Sequence, residues 1–226
     1  MQSVLREVRQ AGRSLGRNPG FTAAAVACLG LGIGAMTAIF SVVNGVLLQP
    51  LAYGKPEGLV RLYTEFPTFP GGGLKKFWTS GPEFFELRRD LKQWQTLDAW
   101  RLSGVNLAGT GEPVRATAGF VSGTLLKTLG VKPQMGRLLT QEDDVPGAPR
   151  VAVISSELWM RAFGGDAGVL TREVRLDGQK TNVVGVMPAG FQFPPGETEP
   201  PELWTPLQLD PARPGGRGGH NFYILG

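Results

Sequence analysis

The chain has 226 residues, one histidine, one cysteine and a formal net charge of +4, with 42 % hydrophobic and 19 % charged residues. One cysteine excludes a disulfide framework, and one histidine excludes zinc sites built from several Cys or His ligands. The basic excess is concentrated: Arg6, Arg9, Arg13 and Arg17 stand against Glu7 at the N-terminus, whereas 19 basic and 18 acidic residues follow Tyr53, a near-neutral bulk that argues against nucleic acid as a partner.

In residues 1–17, Val4, Val8, Ala11 and Leu15 recur at helical spacing, with Arg6, Arg9, Arg13 and Arg17 off that stripe. The pattern predicts a cytoplasmic amphipathic helix along the inner leaflet, each Arg contributing roughly 1 kcal/mol near anionic lipid. Plain topology-setting charge accounts for the same residues. Asn18 followed by Pro19 reads as an N-cap and first-turn pair for the next helix.

From Phe21 to Leu48 the chain carries no charge and is rich in Phe, Val, Leu and Ile. A helix of that length reaches about 42 Å, more than the roughly 30 Å hydrocarbon core of a bilayer. A cleaved signal peptide has an apolar region of about 7–15 residues and a small-residue cleavage site behind it. Here the run is longer and Gln49-Pro50-Leu51 follows, so a retained transmembrane helix over residues 18–52 is the expectation. Arginine on one side places the N-terminus in the cytoplasm and residues after about 50 outside, in the periplasm. Gly30 and Gly34 form a small-xxx-small pair suited to close approach of another helix, although Gly is also simply tolerated in membrane helices. Cys28 lies in the same span and reads as a small hydrophobe.

Residues 53–226 have the composition of a folded domain with its own core. Leu59 to Phe66 reads as a strand, Gly71-Gly72-Gly73 as a loop, and Pro82 to Trp94 as a helix. Ala116 to Val121 reads as a strand, and Ser122 as the cap of a short helix ending at Gly130. Val151 to Ile154 is a compact strand, and Ser155 opens a helix that stops at Gly164-Gly165. Glu173–Leu176 and Thr181–Val186 read as a hairpin around Asp177-Gly178. Phe222 to Leu225 reads as a strand begun and cut off; an unpaired edge there would favour completion by a further segment, and a well-closed domain an anchored binding or structural protein. The whole is α+β: one N-terminal transmembrane helix, then a mixed α/β domain built from split β-α-β units and C-terminally incomplete.

Catalytic chemistry finds few candidates. His220 lies in a Gly-rich stretch that gives no rigid imidazole, and no G-x-x-x-x-G-K-[ST] occurs. Glu142, Asp143 and Asp144 lack the alternating ligands of a calcium loop and read as a solvated turn. The tryptophans Trp78, Trp94, Trp100, Trp159 and Trp204 line either a groove or, more in keeping with their usual use, the core and interfaces. No catalytic, cofactor or metal residues are assigned, and an enzyme is not expected.

Arg17-Asn18-Pro19-Gly20-Phe21-Thr22, Leu31-Gly32-Ile33-Gly34-Ala35 and Thr37-Ala38-Ile39-Phe40-Ser41-Val42-Val43-Asn44 resemble the first membrane helix of MacB/FtsX-type ABC transporter permeases. The closest resemblance is to the acidobacterial duplicated orphan permease group. Beyond the span the matching pieces are Gly111-Glu112-Pro113-Val114-Arg115, Leu129-Gly130-Val131, Gly136-Arg137, Val151-Ala152-Val153-Ile154-Ser155 and Trp159. Phe163-Gly164-Gly165-Asp166, Leu176-Asp177-Gly178, Val183-Val184-Gly185-Val186-Met187-Pro188 and Trp204-Thr205-Pro206 continue the series, in order, as in a MacB-like periplasmic core domain.

The resemblance implies a bacterial inner-membrane permease component whose outer domain is moved by mechanotransmission during efflux. It also implies as partners an ABC ATPase subunit, which binds the ATP, and further permease segments, in a homo- or heterodimer. Family members continue into further outer-domain strands and three more membrane helices, so the chain reads as the N-terminal part of a permease. The alternative is a single-span anchored periplasmic binding or structural protein with no transport role, or a non-functional permease fragment.

Overall fold

The computed structural model describes residues 17–44, 53–54, 56–109 and 112–226, in two compact units, residues 1–50 and 51–226. Arg6, Arg9, Arg13 and the amphipathic stripe lie outside the described residues. In the first unit, α1 (Pro19–Val43) is 25 residues with Pro at its first turn. Asn18 does not cap through its side chain as expected; its carbonyl instead accepts from the Thr22 amide at 3.1 Å and the Thr22 hydroxyl at 3.0 Å.

The second unit is built on β4 (Asp98–Ala108), an 11-residue strand that the sequence reading missed. Its start pairs with β11 (Tyr223–Leu225), its length with β5 (Val114–Val121), and its end with β8 (Glu173–Leu176), all antiparallel. From β5 the sheet continues through β10 (Leu203–Pro206), β7 (Val151–Ile154) and β9 (Gln179–Val186), and β8 pairs back onto β9. Six strands, β4, β5, β10, β7, β9 and β8, therefore form a closed hydrogen-bonded circuit. β11 and then β1 (Arg61–Leu62) extend the sheet from β4, and β6 (Met135–Gly136) extends it from β9.

Alternation distributes side chains to two cores. Val105, Leu107, Ala116, Ala118, Ala152, Ile154, Val174, Leu176, Val183 and Leu203 come from all six strands and form one cluster with Leu158 and Phe163. Val151, Val153 and Trp204 point the other way, into a cluster with Trp100, Val121, Leu125, Leu126, Leu129, Phe191 and Phe193. β7 and β10 are thus buried on both faces, which is why β7 reads as a continuous apolar run.

Several elements fall where the sequence places them. Ser155 caps α4 (Ser156–Phe163), its hydroxyl accepting from the Leu158 amide at 3.0 Å, and Gly164 ends the helix with φ 62°. Asp177 (φ 48°) and Gly178 (φ 80°) make the two-residue turn between β8 and β9, both with the positive φ of a type I′ turn. The α-helix after β5 is α3 (Leu125–Thr128), which begins later than Ser122.

Others differ. The strand expected over Leu59–Phe66 breaks at Tyr63: β1 joins the main sheet, while β2 (Thr64–Phe66) forms a separate hairpin with β3 (Leu74–Phe77) across the glycine turn. The helix expected to Trp94 is α2 (Gly81–Asp90), which stops early, and Trp94 packs its ring against Gly226 instead. β11 is paired on both sides, by β1 and β4, and Ile224 and Leu225 are buried; the sheet ends on β1 and β6.

Candidate functional site

The two units offer different kinds of surface. α1 has a mean hydropathy of 2.2 over its most apolar window, and at 1.5 Å per residue its 25 residues reach about 37 Å, enough to cross a bilayer. Gly30 and Gly34 both lie on it, one turn apart, and a Cβ built on either meets nothing within 4 Å. Arg17, just before α1, is exposed. Cys28 is exposed on the same helix.

On the second unit the side chains that converge are aromatic. Arg61 on β1 lays its guanidinium 4.5 Å from the Tyr223 ring centroid, 5.0 Å from Tyr63 and 5.4 Å from Trp100. Trp100 and Tyr223 are stacked at 5.2 Å, and Trp78 meets Tyr223 edge-on at 6.1 Å. Trp78 is 42 % exposed, whereas Trp100 and Trp204 are buried in the core. Of the five tryptophans, then, Trp78 presents a ring to solvent at this patch and the buried ones serve packing. The patch was not legible in sequence, because Tyr223 lies more than 120 positions from its other members and meets them only through the β1–β11–β4 pairings.

A pocket of about 750 Å³ lies where Glu157, Glu199 and Glu202 approach Arg115, with Phe191, Pro200 and Pro201 in its wall. Its charges are partly engaged. Glu202 pairs with Arg161 at 2.5 Å, and Glu157 accepts from the Gly190 amide at 3.0 Å, which holds its carboxyl below the usual range against an opposing effect of burial. Arg115 donates to Asn106 at 3.3 Å. Such a groove can bind but shows no nucleophile–base pair.

The remaining polar residues serve structure. His220, expected to be loosely held, is fixed between the rings of Phe66 (5.1 Å) and Phe77 (5.6 Å), with Nε2 3.4 Å from Glu83 Oε2. Glu83 is itself spent on the start of α2, accepting from the Ser80 amide at 2.8 Å. In the acidic run only Glu142 is a solvated group. Asp143 binds Arg137 bidentately at 2.6 and 2.9 Å, and Asp144 accepts from the amides of Gly123 and Gln208. Among the described residues no three His, Cys, Asp or Glu come together to hold a metal ion. Tyr53 donates to the Gln192 carbonyl at 2.9 Å, and burial pushes its hydroxyl pKa up.

The family model described as "MacB-like periplasmic core domain" matches residues 22–225. No curated protein matches the chain. Among solved structures, a domain of a putative permease protein from Porphyromonas gingivalis superposes with a TM-score of 0.58 at 15 % identity, covering 76 % of this chain and 73 % of that one. The extracellular domain of the noncanonic ABC-type transporter YknZ from Gram-positive bacteria gives a TM-score of 0.50 at 17 % identity, over 74 % of this chain and 80 % of that one. At these identities the likeness is one of fold.

Proposed function

The chain belongs to the MacB-like periplasmic core domain family, and from that premise we propose that it is the membrane-anchored extracytoplasmic part of an ABC-type permease. The observation that carries the reading is the reach of the family match, which starts at Thr22 inside α1 and runs to Leu225 in β11. One family pattern embraces both the apolar helix and the folded unit. In this reading α1 crosses the bacterial inner membrane with the N-terminus in the cytoplasm, and residues after about 50 lie in the periplasm. A partner ATPase binds the ATP, further permease segments complete the transporter, and motion of α1 is passed to the outer sheet during export.

The sheet suits that work. A closed circuit of six strands with apolar clusters on both faces resists deformation as a body, so a displacement applied to it is passed on rather than absorbed. Substrate contact is assigned to the surface around Trp78 and to the groove of Glu157, Glu199 and Glu202, where the side chains are accessible.

A second reading, a single-span anchored binding protein with no transport role, draws on the pairing of β11 on both sides, because an unpaired edge there would have favoured docking of a further permease segment. Affinity purification of an N-terminally tagged chain from gently solubilised membranes separates the two. Recovery of a nucleotide-binding ATPase with other permease segments supports the permease reading. Recovery of the chain with neither removes it.

A further inference from the structure

The two ends of the six-stranded circuit are finished differently. Where β7 ends, Ser155 turns the chain directly into α4, whose Leu158 and Phe163 join the interior cluster. At the opposite end β4 and β7 begin while β5 and β10 finish, and a pocket of about 320 Å³ is lined by Arg101, Phe120, Arg150, Thr205 and Gln208.

Register explains the grouping. Arg101 faces Phe120 across β4–β5, Phe120 faces Thr205 across β5–β10, and Arg150 immediately precedes β7. Arg101 shares its face of β4 with Val105 and Leu107, and Phe120 shares its face of β5 with Ala116 and Ala118. The pocket is therefore the continuation of the apolar interior, with the Arg101 guanidinium replacing an aliphatic side chain at the last layer and the exposed Arg150 at its rim.

Among the described residues those cations lack counter-ions. The ion pairs among the described residues involve neither Arg101 nor Arg150. Asp143 and Asp144, on the segment that Gln208 binds, are taken up by Arg137 and by the Gly123 and Gln208 amides. Gln208 spends its side-chain amide on the carbonyls of Asp143 and Ala148, both at 3.0 Å. The Arg101 guanidinium lies 4.2 Å from the Phe120 ring centroid, which orients it and leaves its N–H donors unspent. Burial pulls the Arg101 pKa below its ordinary value, the direction for a cation drawn from water without a compensating anion.

We propose that this pocket binds a phosphate-type oxyanion, free or as a phosphate monoester, between Arg101 and Arg150. A guanidinium fork takes two oxygens at once, and a tetrahedral phosphate offers separate oxygens to both arginines and more negative charge, where a carboxylate would have to share its two. The site stands on the outer unit alone and does not depend on a transport role.

The test is calorimetric titration of the full chain in detergent micelles with inorganic phosphate, then with glycerol 1-phosphate, at constant ionic strength. Saturable binding is expected for at least one of them, with a Kd near or below about 1 mM. Tighter binding of the ester assigns the monoester as the source, and equal binding assigns free phosphate. Arg150→Gln is expected to weaken binding by about tenfold or more without moving the thermal midpoint, because the Arg150 side chain is exposed and bonds to nothing in the fold. Arg150→Lys should retain part of the affinity. No saturable binding of either anion, or equal binding by the wild type and Arg150→Gln, overturns the proposal.

Discussion

Gly119 on β5 lies directly under the indole of Trp204 on β10: the two are register partners, and a Cβ at position 119 would come within 2.7 Å of Trp204 Cδ1. Trp204 has little freedom to withdraw. It is fully buried, its Nε1 donates to the Phe193 carbonyl at 3.1 Å, and its ring meets Phe191 at 5.1 Å. Gly119→Ala is therefore an overpacking substitution at the junction of a parallel strand pair. It should cost about 1–3 kcal/mol in urea unfolding followed by tryptophan fluorescence. A loss below about 0.5 kcal/mol would mean that the indole gives way and the contact is not rigid.

Asp98 gives a pH-dependent prediction. It is fully buried at the start of β4 and accepts from the Thr124 hydroxyl at 2.5 Å and the Thr128 hydroxyl at 2.7 Å. Burial raises its pKa despite those hydrogen bonds and the opposing pull of Arg88. A carboxyl whose folded pKa lies above its unfolded value favours folding while protonated. That contribution is complete below the ordinary value of 3.8 and is lost as pH rises through the folded pKa. The stability of the wild type relative to Asp98→Asn should therefore fall as pH rises from about 4 through the weakly acidic range. Groups shifted the other way, such as Asp143 and Glu157, are common to both proteins and largely cancel in the difference. Parallel stability curves over that range would show that Asp98 titrates as in the unfolded chain.

Ser155 tests how much a local signal contributes. Its hydroxyl is the side-chain cap of α4 and is buried, so Ser155→Ala leaves the Leu158 amide without its partner. The expected cost is about 1 kcal/mol, up to about 2 because water has poor access to the orphaned donor. Ser155→Asp, which offers the same acceptor, should recover most of the loss in thermal unfolding. If both variants unfold alike, the cap is not what sets the start of α4.

These residues also mark what sequence reading can and cannot reach. The stretch Val151–Gly165 was legible because each signal is local: four apolar residues in a row, a serine cap, and glycines that end the helix. The same holds for Asp177-Gly178, whose positive φ values are a property of the turn itself. β4 was missed because three different strands pair along it. Its inward positions change role along its length, from Ala99 against α2 to Val105 and Leu107 in the circuit, with Gly104 and Arg101 interrupting the apolar alternation. α2 ends at Asp90 rather than Trp94 because the Trp94 ring is used against Gly226, a contact 132 positions away that no window contains. The same distance problem hid the Arg61 aromatic patch and the Arg101–Arg150 pocket, each assembled from neighbours across the sheet rather than along the chain.

The membrane unit carries the last prediction. Gly30 and Gly34 fall one helical turn apart on α1, and the space beyond both is empty to 4 Å. Without side chains there, a second helix can approach until backbones touch, and dispersion between the surfaces supplies the attraction that the hydrophobic effect cannot supply inside a bilayer. Gly34→Leu fills that space with a branched side chain. It adds apolar surface, so insertion of α1 is unaffected, because leucine is itself favourable at mid-membrane by about 0.5 kcal/mol. Association in the membrane should fall, read as energy transfer between labelled copies in vesicles, or as loss of co-purifying permease segments. Gly34→Ala, which keeps a small residue, should lose much less. Equal association of the glycine and leucine proteins would assign these glycines to simple tolerance in a membrane helix and place the contact face elsewhere on α1.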